Sequence, residues 1–448
     1  MPSDNEPIRP DELEAIFGSF HAAKPCALAV SGGSDSVALM VMYADWLRQK
    51  QQDAGLHTVL SVDHGLRPES AREARAVAAQ AAALGFRHAT LAWEGSKPQT
   101  GIQAAARTAR YRLMGDYMRS RAIALLFTAH TRDDQAETLL MRLARGSGLD
   151  GLAAMSPRLR FGDLGFPDPE DTEPEIARPL LDVPKARLRA TLEARGIAWI
   201  EDPSNQSQAY ERPRLRAARA HLDALGLTDA MLALSATRLL RARRALDQTV
   251  EFFCSPAAGA VSIDPCGYFT IDRARLQDIE EEIALRVLGR VIAAAGGSHA
   301  PVSLGKLETI AAAVRFGSAR SEKWTLARAM ITADGHTVTI EREPGRDPLP
   351  SLELEPGASV RWDGRFWVQV APGSAPLPTK VRPLGEVAWS DLRQQGVAAT
   401  RAPSRAIAAV PSFWREGSLA AVPTLGYWVT PEARDAFQAK FIWIETFK

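Results

Sequence analysis

The first half of the chain alternates short apolar runs with longer helical patterns, and this alternation constrains the fold more than any other feature. Apolar runs that predict buried strands stand at residues 27–30, 57–62 and 122–128, and a weaker one stands at 89–93. A helical pattern follows each of them. Strands separated by helices in this way form βαβ units. The sequence therefore predicts an α/β domain, a mostly parallel sheet with helices on both faces.

The pattern changes twice further along. Residues 211–320 are rich in arginine and show helical spacing, whereas beyond them polar and apolar residues alternate between prolines. We expect an α/β domain over residues 1–210, a helical domain over 211–320 and a small α+β domain over 321–448. The acidic, proline-containing stretch 161–175 predicts a solvated loop inserted in the first domain, and residues 197–200 predict one more edge strand.

Composition excludes several classes of protein. With 54 Lys and Arg against 53 Asp and Glu, the net charge is +1, so any nucleic-acid surface must be local. The three cysteines include no Cys-x-x-Cys pair, which argues against a zinc ribbon or a disulfide scaffold. The polar start does not resemble a secretory signal, and no apolar run approaches about 20 residues. We expect a soluble, cytoplasmic protein with no membrane span.

A loop rich in glycine and serine joins the first strand to its helix: Ser31-Gly32-Gly33-Ser34-Asp35-Ser36. Glycines permit a tight turn and close approach of a ligand, and the N–H groups of a helix N terminus favour phosphate. Asp35 would repel a bare phosphate, so it suits a Mg²⁺ that carries the phosphate. The loop matches neither the Walker A nor the dinucleotide motif. The alternative interpretation is an ordinary glycine turn with a serine cap.

Acidic residues open the helix after the fourth strand. Asp133, Asp134 and Glu137 are spaced so that all three can share one face. Acids in a first turn also suit the helix dipole, and Thr131 with Asp134 fits a capping box. Spacing alone leaves capping and function about equally open.

Taken together, these segments resemble the tRNA(Ile)-lysidine synthase family of PP-loop ATP pyrophosphatases. The resemblance spans about residues 25–216 in the family's order. Besides the loop, it rests on Val62-Asp63-His64-Gly65-Leu66-Arg67, Ala109-Arg110-Tyr111-Arg112, residues 130–138, Arg145-Gly146-Ser147-Gly148, Arg178-Pro179-Leu180-Leu181 and Glu201-Asp202-Pro203-Ser204-Asn205. Pro213 departs from the pattern, since the family has asparagine among the arginines of that region.

The resemblance implies an adenine nucleotide alpha hydrolase-like fold and a ligase that forms a carbon–nitrogen bond in two steps. ATP activates the ring carbonyl oxygen of the wobble cytidine in an isoleucine tRNA with a CAU anticodon, and pyrophosphate leaves. The amine of free L-lysine then attacks that carbon and expels AMP. The implied cofactors are ATP and Mg²⁺, and the family suggests a homodimer.

The resemblance also assigns roles to residues. The phosphates fall to Ser31, Gly32, Gly33, Ser34 and Ser36, and the Mg²⁺ to Asp35. Val62 and His64 approach the adenosine, while Arg112 stabilises phosphate charge. Asp133, Asp134 and Glu137 hold the substrate lysine and help its amine lose a proton. The residues expected to grip tRNA are Arg212, Arg214 and Arg216.

Three rival interpretations remain open to test. A sulfur-inserting tRNA enzyme with the same loop needs paired cysteines, and a glutamine-dependent amidotransferase needs a cysteine nucleophile domain; the sequence provides neither. An RNA-binding protein with a vestigial ATP fold would not need the intact loop and the acidic helix.

Overall fold

The computed structural model describes most of the chain, in two compact units that comprise Met1–Arg244 and Ala245–Lys448. The described residues are 4–65, 70–95, 97–98, 100–164, 174–201, 211–298, 302–318, 320–345, 348–373, 379–397 and 402–443, without the side chains of residues 163 and 211–213. The domain boundaries expected near residues 210 and 320 stay predictions. Most of the acidic stretch 161–175 lies outside the described residues.

The first unit is a six-stranded sheet with helices around it. Its strands are β1 (Ala27–Ala29), β2 (Thr58–Asp63), β3 (Arg87–Ala92), β4 (Leu125–Phe127), β5 (Arg158–Arg160) and β6 (Glu175–Ala177). Its helices are α1 (Leu13–Phe17), α2 (Ser34–Gln49), α3 (Ser70–Ala83), α4 (Ile102–Ser120), α5 (Arg132–Leu143), α6 (Leu149–Leu152), α7 (Lys185–Glu193), α8 (Glu211–Ala217) and α9 (Arg219–Ala224). Helix α10 (Asp229–Cys254) crosses the division between the units.

The order of the strands creates a site for a ligand. The sheet runs β3-β2-β1-β4-β6-β5, and only the β5–β6 pair is antiparallel. The chain moves outward from β1 to β3 and then returns to β4 on the other side of β1. Ligands of open α/β sheets bind at such a reversal, outside the carboxyl ends of the strands. The predicted α/β fold is confirmed.

Both faces of this sheet are covered, as the sequence predicts. Successive side chains of a strand point to opposite faces, and Ala27 and Leu28 of β1 enter different apolar clusters. Leu28 packs with the nearly fully buried α2, whereas Ala27 packs with Met114 and Met118 of α4. Helices α2 and α4 therefore lie on opposite faces and leave the carboxyl edge of the sheet between them.

The second unit combines helices with antiparallel sheets. Its strands are β7 (Val261–Asp264), β8 (Tyr268–Asp272), β9 (Glu322–Leu326), β10 (Ala329–Ala333), β11 (Thr337–Arg342), β12 (Leu352–Leu354), β13 (Ser359–Trp362), β14 (Phe366–Val370), β15 (Thr379–Pro383), β16 (Pro411–Arg415), β17 (Ser418–Val422), β18 (Tyr427–Trp428) and β19 (Phe437–Phe441). Its helices are α11 (Arg273–Asp278), α12 (Glu281–Gly296), α13 (Leu304–Phe316), α14 (Gly385–Gln394), α15 (Ser404–Ala408) and α16 (Pro431–Ala436). The sheets run β7-β8-β11-β10-β9, β12-β15-β16-β17-β18 and β13-β14-β19.

The stretch 211–320, predicted to be helical, also contains the hairpin β7–β8. The hairpin joins a sheet through the pairing of β8 with β11, which lies beyond residue 320. Its two strands are short, and the partner that stabilises them is distant in sequence, so local pattern did not reveal them. No described helix has the length and apolar character needed to cross a membrane.

Candidate active site

The loop after β1 forms an open cradle at the start of α2. Gly33 is the N-cap residue in an extended conformation, and among the described residues no side chain caps this helix. A Cβ at Gly33 would meet only the Ser31 hydroxyl, at 3.9 Å. The Ser36 hydroxyl donates to the Gly33 carbonyl over 3.0 Å and accepts from the Ser31 N–H over 3.2 Å. The loop is thus braced from within, and its first-turn N–H groups suit an anion.

Gly32 cannot be replaced without strain. Its φ is +89°, and a Cβ would lie 2.6 Å from Cδ1 of Ile200. The Ile200 N–H donates to the Gly32 carbonyl over 2.9 Å. The edge strand expected at 197–200 is wrong: the structure assigns no strand there, because Ile200 pairs with this loop and not with a sheet edge.

Asp35 makes an ion pair that the sequence did not reveal. The Lys185 Nζ lies 2.7 Å from Oδ2 of Asp35, and the two side chains are 28% and 20% exposed. Burial raises the pKa of Asp35 above its ordinary value, the Lys185 ammonium opposes that rise, and the charge of Asp134 adds to it. Lys185 opens α7, four residues after Leu181, which ends the Arg-Pro-Leu-Leu segment that follows β6. The sequence signal that could have indicated Lys185 is this position, after a strand of the parallel sheet.

Helix α5 presents its three acids in different ways. Asp134 forms the capping box, since its Oδ2 accepts from both the N–H and the hydroxyl of Thr131 over 2.9 Å. Asp133 accepts from the backbone N–H of Lys185 over 2.9 Å. Glu137 is buried and accepts from Nε of Arg216 over 2.6 Å and from Nη2 of the same arginine over 3.3 Å. The capping interpretation is therefore correct for Asp134, but it does not account for the other two.

The loop and the acidic helix meet at the strand-order reversal. The hydrogen bond with Glu137 is the main cause that raises the pKa of Arg216, and the charges of Asp134 and Asp35 add to it. The charges of acids from both the loop and α5 therefore act on the guanidinium of Arg216. We call Asp35, Asp133, Asp134 and Glu137 the acid cluster; Lys185 and Arg216 are its two cations.

At the end of β2, His64 lies against an arginine of α4. Nη2 of Arg110 donates to Nε2 of His64 over 3.3 Å, and Nδ1 of His64 has no partner among the described residues. Burial and the Arg110 charge lower the pKa of His64 to about 4, so the ring is neutral at pH 7. Val62, two residues earlier, is half-buried beside the loop, since Ser61 donates to the Val30 carbonyl over 3.0 Å.

The structure does not bring Arg112 to this site. Its side chain is 73% exposed and lies 4.0 Å from Asp116 on the same helix. Arg110 faces His64 instead, and burial lowers the pKa of its guanidinium. Arg178 of the Arg-Pro-Leu-Leu segment is also buried, and its NH1 donates to the Ser156 carbonyl over 2.5 Å.

The arginines predicted to grip tRNA lie on the short helix α8. Arg216 reaches the acid cluster, and Arg214 is exposed. The side chain of Arg212 lies outside the described residues. Of the Glu-Asp-Pro-Ser-Asn segment, the structure describes Glu201 alone.

The donor set suits Mg²⁺ that arrives with phosphate. In the described part of the chain, no three or more His, Cys, Asp or Glu side chains could together hold a metal ion. Mg²⁺ in nucleotide sites usually takes one or two carboxylates and completes its coordination with phosphates and water. Asp35, at the N terminus of α2 and close to Asp134, fits that requirement.

Comparison with known proteins agrees with this geometry. The family model of a PP-loop domain matches residues 7–220. The α/β fold, the loop Ser31–Ser36 and the match to this family model together define the first unit as an ATP-using domain of the PP-loop class.

Curated relatives narrow the class. The chain is 43% identical to the tRNA(Ile)-lysidine synthase of Bradyrhizobium diazoefficiens over 77% of this chain and 96% of that protein. It is 36% identical to the tRNA(Ile)-lysidine synthase of Ruegeria pomeroyi over 93% of each. The chain belongs to the tRNA(Ile)-lysidine synthase family. A solved U34-tRNA thiolase from Methanococcus maripaludis covers 52% of this chain and 78% of its own, with 15% identity and a TM-score of 0.43, too remote to bear on function.

Proposed function

We propose that this chain converts the wobble cytidine of an isoleucine tRNA with a CAU anticodon into lysidine, using ATP, Mg²⁺ and free L-lysine. The observation that carries the proposal is the meeting of Asp35 from the loop with the acids of α5 at the strand-order reversal. Adenylyl transfer and amine attack require an anion cradle and a carboxylate site side by side, and the geometry of this edge of the sheet suits both.

The first step makes a bond from the ring carbonyl oxygen of cytidine to the α-phosphorus of ATP and breaks the bond to pyrophosphate. Negative charge grows on the leaving pyrophosphate, so fixed donors aimed at it are the expected catalyst. The N–H groups of the first turn of α2, with Ser31 and Ser34, hold the phosphates, and Gly32 and Gly33 let them approach. Asp35 would hold the Mg²⁺, which would neutralise phosphate charge.

An arginine at the α4 side completes the phosphate site. Arg112 is the residue that the family motif indicates, yet Arg110 is the one that lies at the carboxyl edge beside His64. A half-buried guanidinium without a carboxylate partner among the described residues is suited to an incoming phosphate. We assign that role to Arg110 and leave Arg112 for contact with RNA. Val62 and His64 border the nucleoside.

The second step forms the carbon–nitrogen bond. The ε-amine of lysine attacks the activated ring carbon, AMP leaves with the ring oxygen, and the amine gives up a proton. Asp133, Asp134 and Glu137 hold the ammonium of the substrate and supply a carboxylate that can accept this proton. The arginines of α8, Arg212, Arg214 and Arg216, contact the RNA backbone, so tRNA binding weakens as salt rises.

Sulfur insertion is not supported. The cysteines of this chain, Cys26, Cys254 and Cys266, are free and buried. Burial raises the pKa of the Cys26 thiol to about 12, so this thiol is a poor nucleophile at neutral pH. A tRNA substrate implies work in the cytoplasm, and the homodimer stays a prediction.

The experiment is mass analysis of the wobble nucleoside after incubation with ATP, L-lysine and an unmodified tRNA transcript. We expect lysidine only when all three are present, with AMP and pyrophosphate as the other products. A methionine tRNA transcript serves as the control substrate. Release of ADP, or pyrophosphate release that does not depend on tRNA, would contradict the proposal.

A further inference from the structure

The pair formed by Glu137 and Arg216 is asymmetric in its burial. The Glu137 side chain is 4% exposed, whereas the Arg216 side chain is 40% exposed. The guanidinium covers the carboxylate from the solvent side with two hydrogen bonds, of 2.6 and 3.3 Å. A buried carboxylate needs a cation, but this cation sits where solvent and other molecules can reach it.

The same guanidinium has two competing partners under the proposed function. Arginine binds carboxylate and phosphate through the same planar fork of donors. If an RNA phosphate engages the fork of Arg216, the fork leaves Glu137. The carboxylate then lies buried without that cation, and the ammonium of a substrate lysine can replace it.

We propose that Arg216 is a latch on the lysine site: it occupies Glu137 in the free protein, and tRNA draws it away so that free lysine can bind. Arg216 is thus a positioning residue that orders the substrates, tRNA before lysine. This inference rests on the proposed function and deepens it. The order prevents lysine from occupying a site in which no activated cytidine can form.

The latch makes a reciprocal prediction about affinity. If tRNA removes a competitor from the lysine site, tRNA must tighten lysine binding, and lysine must tighten tRNA binding by the same factor. Couplings of this kind typically correspond to factors between about 5 and 150. An ion pair that only stabilises the fold would produce no such coupling.

The test measures L-lysine affinity by equilibrium dialysis with radiolabelled lysine, without ATP, so that no reaction occurs. In the wild type, we expect an unmodified tRNA transcript to tighten lysine binding about tenfold. In Arg216→Met, lysine should bind without tRNA about as tightly as it binds to the wild type with tRNA, and tRNA should add less than about twofold. Arg214→Met is the matched control, because Arg214 lies on the same helix and, in the described part of the chain, makes no ion pair with the acid cluster. It should weaken tRNA binding while lysine affinity without tRNA stays at the wild-type value.

Several outcomes would overturn the latch. One is lysine affinity in the wild type that does not respond to tRNA; another is Arg216→Met with lysine affinity no better than the wild type alone. If Arg216→Met fails to fold, as judged by circular dichroism, Arg216→Lys replaces it. A single ammonium cannot reproduce the two-donor fork, so this variant should show a smaller tRNA effect than the wild type, and an unchanged effect overturns the latch. The nucleoside assay separates the two proposals: lysidine formed by a wild type that shows no coupling refutes the latch alone, whereas absence of lysidine refutes the function.

Discussion

Each unit of this protein buries a carboxylate against arginine, but the two units differ in how far the arginine partners are exposed. In the second unit, Asp363 is 0% exposed and contacts Arg342 and Arg365, whose side chains are 5% and 0% exposed. In the first unit, Glu137 is 4% exposed, but its partner Arg216 is 40% exposed. Both carboxylates are buried, and the difference is that Asp363 has buried arginines as partners, whereas the arginine on Glu137 is partly exposed.

This difference in the burial of the arginines indicates which ion pairs a ligand can disrupt. Around Asp363, the guanidiniums have further commitments: Arg365 donates to the Ala409 carbonyl over 2.7 Å, and Arg342 donates to the Glu343 carbonyl over 2.7 Å. Burial tends to raise the pKa of Asp363, but the arginines outweigh it, and the pKa lies below its ordinary value. Arg328, whose side chain is 49% exposed, also contacts Asp363 over 2.6 Å, but the two buried arginines would still hold the carboxylate if Arg328 left it. In the acid cluster of the first unit, both cations, Lys185 and Arg216, are partly exposed. We infer that ligands can displace these cations from the carboxylates.

The largest effect is expected at Asp363, the carboxylate that buried arginines hold. Asp363→Asn leaves Arg342 and Arg365 buried without their counter-charge, which should lower the free energy of unfolding by about 3–5 kcal/mol. Thermal and urea denaturation of the full chain would measure it, with the exposed Asp278→Asn as the control, expected within about 0.5 kcal/mol. Equal stability of the two variants would break the comparison, because Asp363 would then not be a structural centre.

The next largest effect is expected at Asp35, where a substitution should reduce activity but leave stability nearly unchanged. Asp35→Asn should reduce tRNA-dependent pyrophosphate release by at least about a hundredfold, since it removes the carboxylate that we assign to Mg²⁺. The melting temperature should change little, because the Asp35 pair with Lys185 is partly exposed. Near-normal turnover in this variant would refute the metal assignment.

The fold was predictable where its determinants are local. The strand, loop and helix that contain Ser31 to Ser36 follow from neighbouring residues, and parallel strands bring their carboxyl ends to one edge. That rule also placed the acids of α5 beside the loop. The hairpin β7–β8 escaped prediction because its sheet partner β11 lies far along the chain, and pairing of that kind leaves no local periodicity.

The site was predictable in its acids but not in its cations. Lys185 is 150 residues from Asp35, and Arg216 is 79 residues from Glu137, so no spacing rule connects them. The proposed choice of Arg110 over Arg112 rests on packing for another reason. Two residues along an α-helix are about 200° apart, so neighbouring arginines of one motif face opposite directions, and only packing shows which one faces the site.

A smaller effect tests whether Lys185 competes with metal. Lys185→Met should tighten Mn²⁺ binding at pH 8, in the presence of a non-hydrolysable ATP analogue, by up to about fivefold, because a partly exposed ion pair contributes at most about 1 kcal/mol. Electron paramagnetic resonance of free Mn²⁺ measures it. The backbone N–H of Lys185 still donates to Asp133 in this variant, so α5 keeps its position. Lys24→Met, at an exposed site, is the control, and weaker Mn²⁺ binding in Lys185→Met would mean that Lys185 assists the metal site.

The smallest effect concerns the other end of the site, where Arg110 meets His64. Burial is the main cause of the low pKa of His64, about 4, and the Arg110 charge is the second. Arg110→Met should therefore raise the pKa of His64 but leave it below the ordinary value, as measured by NMR titration of the histidine ring protons. A depressed histidine pKa means that the unfolded chain takes up the proton first, so the His64 contribution to stability falls as pH decreases from about 6.5. The variant should lose less stability over that interval.

His88 is an internal reference for this titration, because burial alone lowers its pKa. Its pKa should be the same in the wild type and in Arg110→Met. A shift of His88 that equals the shift of His64 would indicate a general loosening of the sheet, since both residues lie on or beside β2 and β3. A shift confined to His64 would show that the Arg110 guanidinium lies beside this ring in solution, as the proposed site requires.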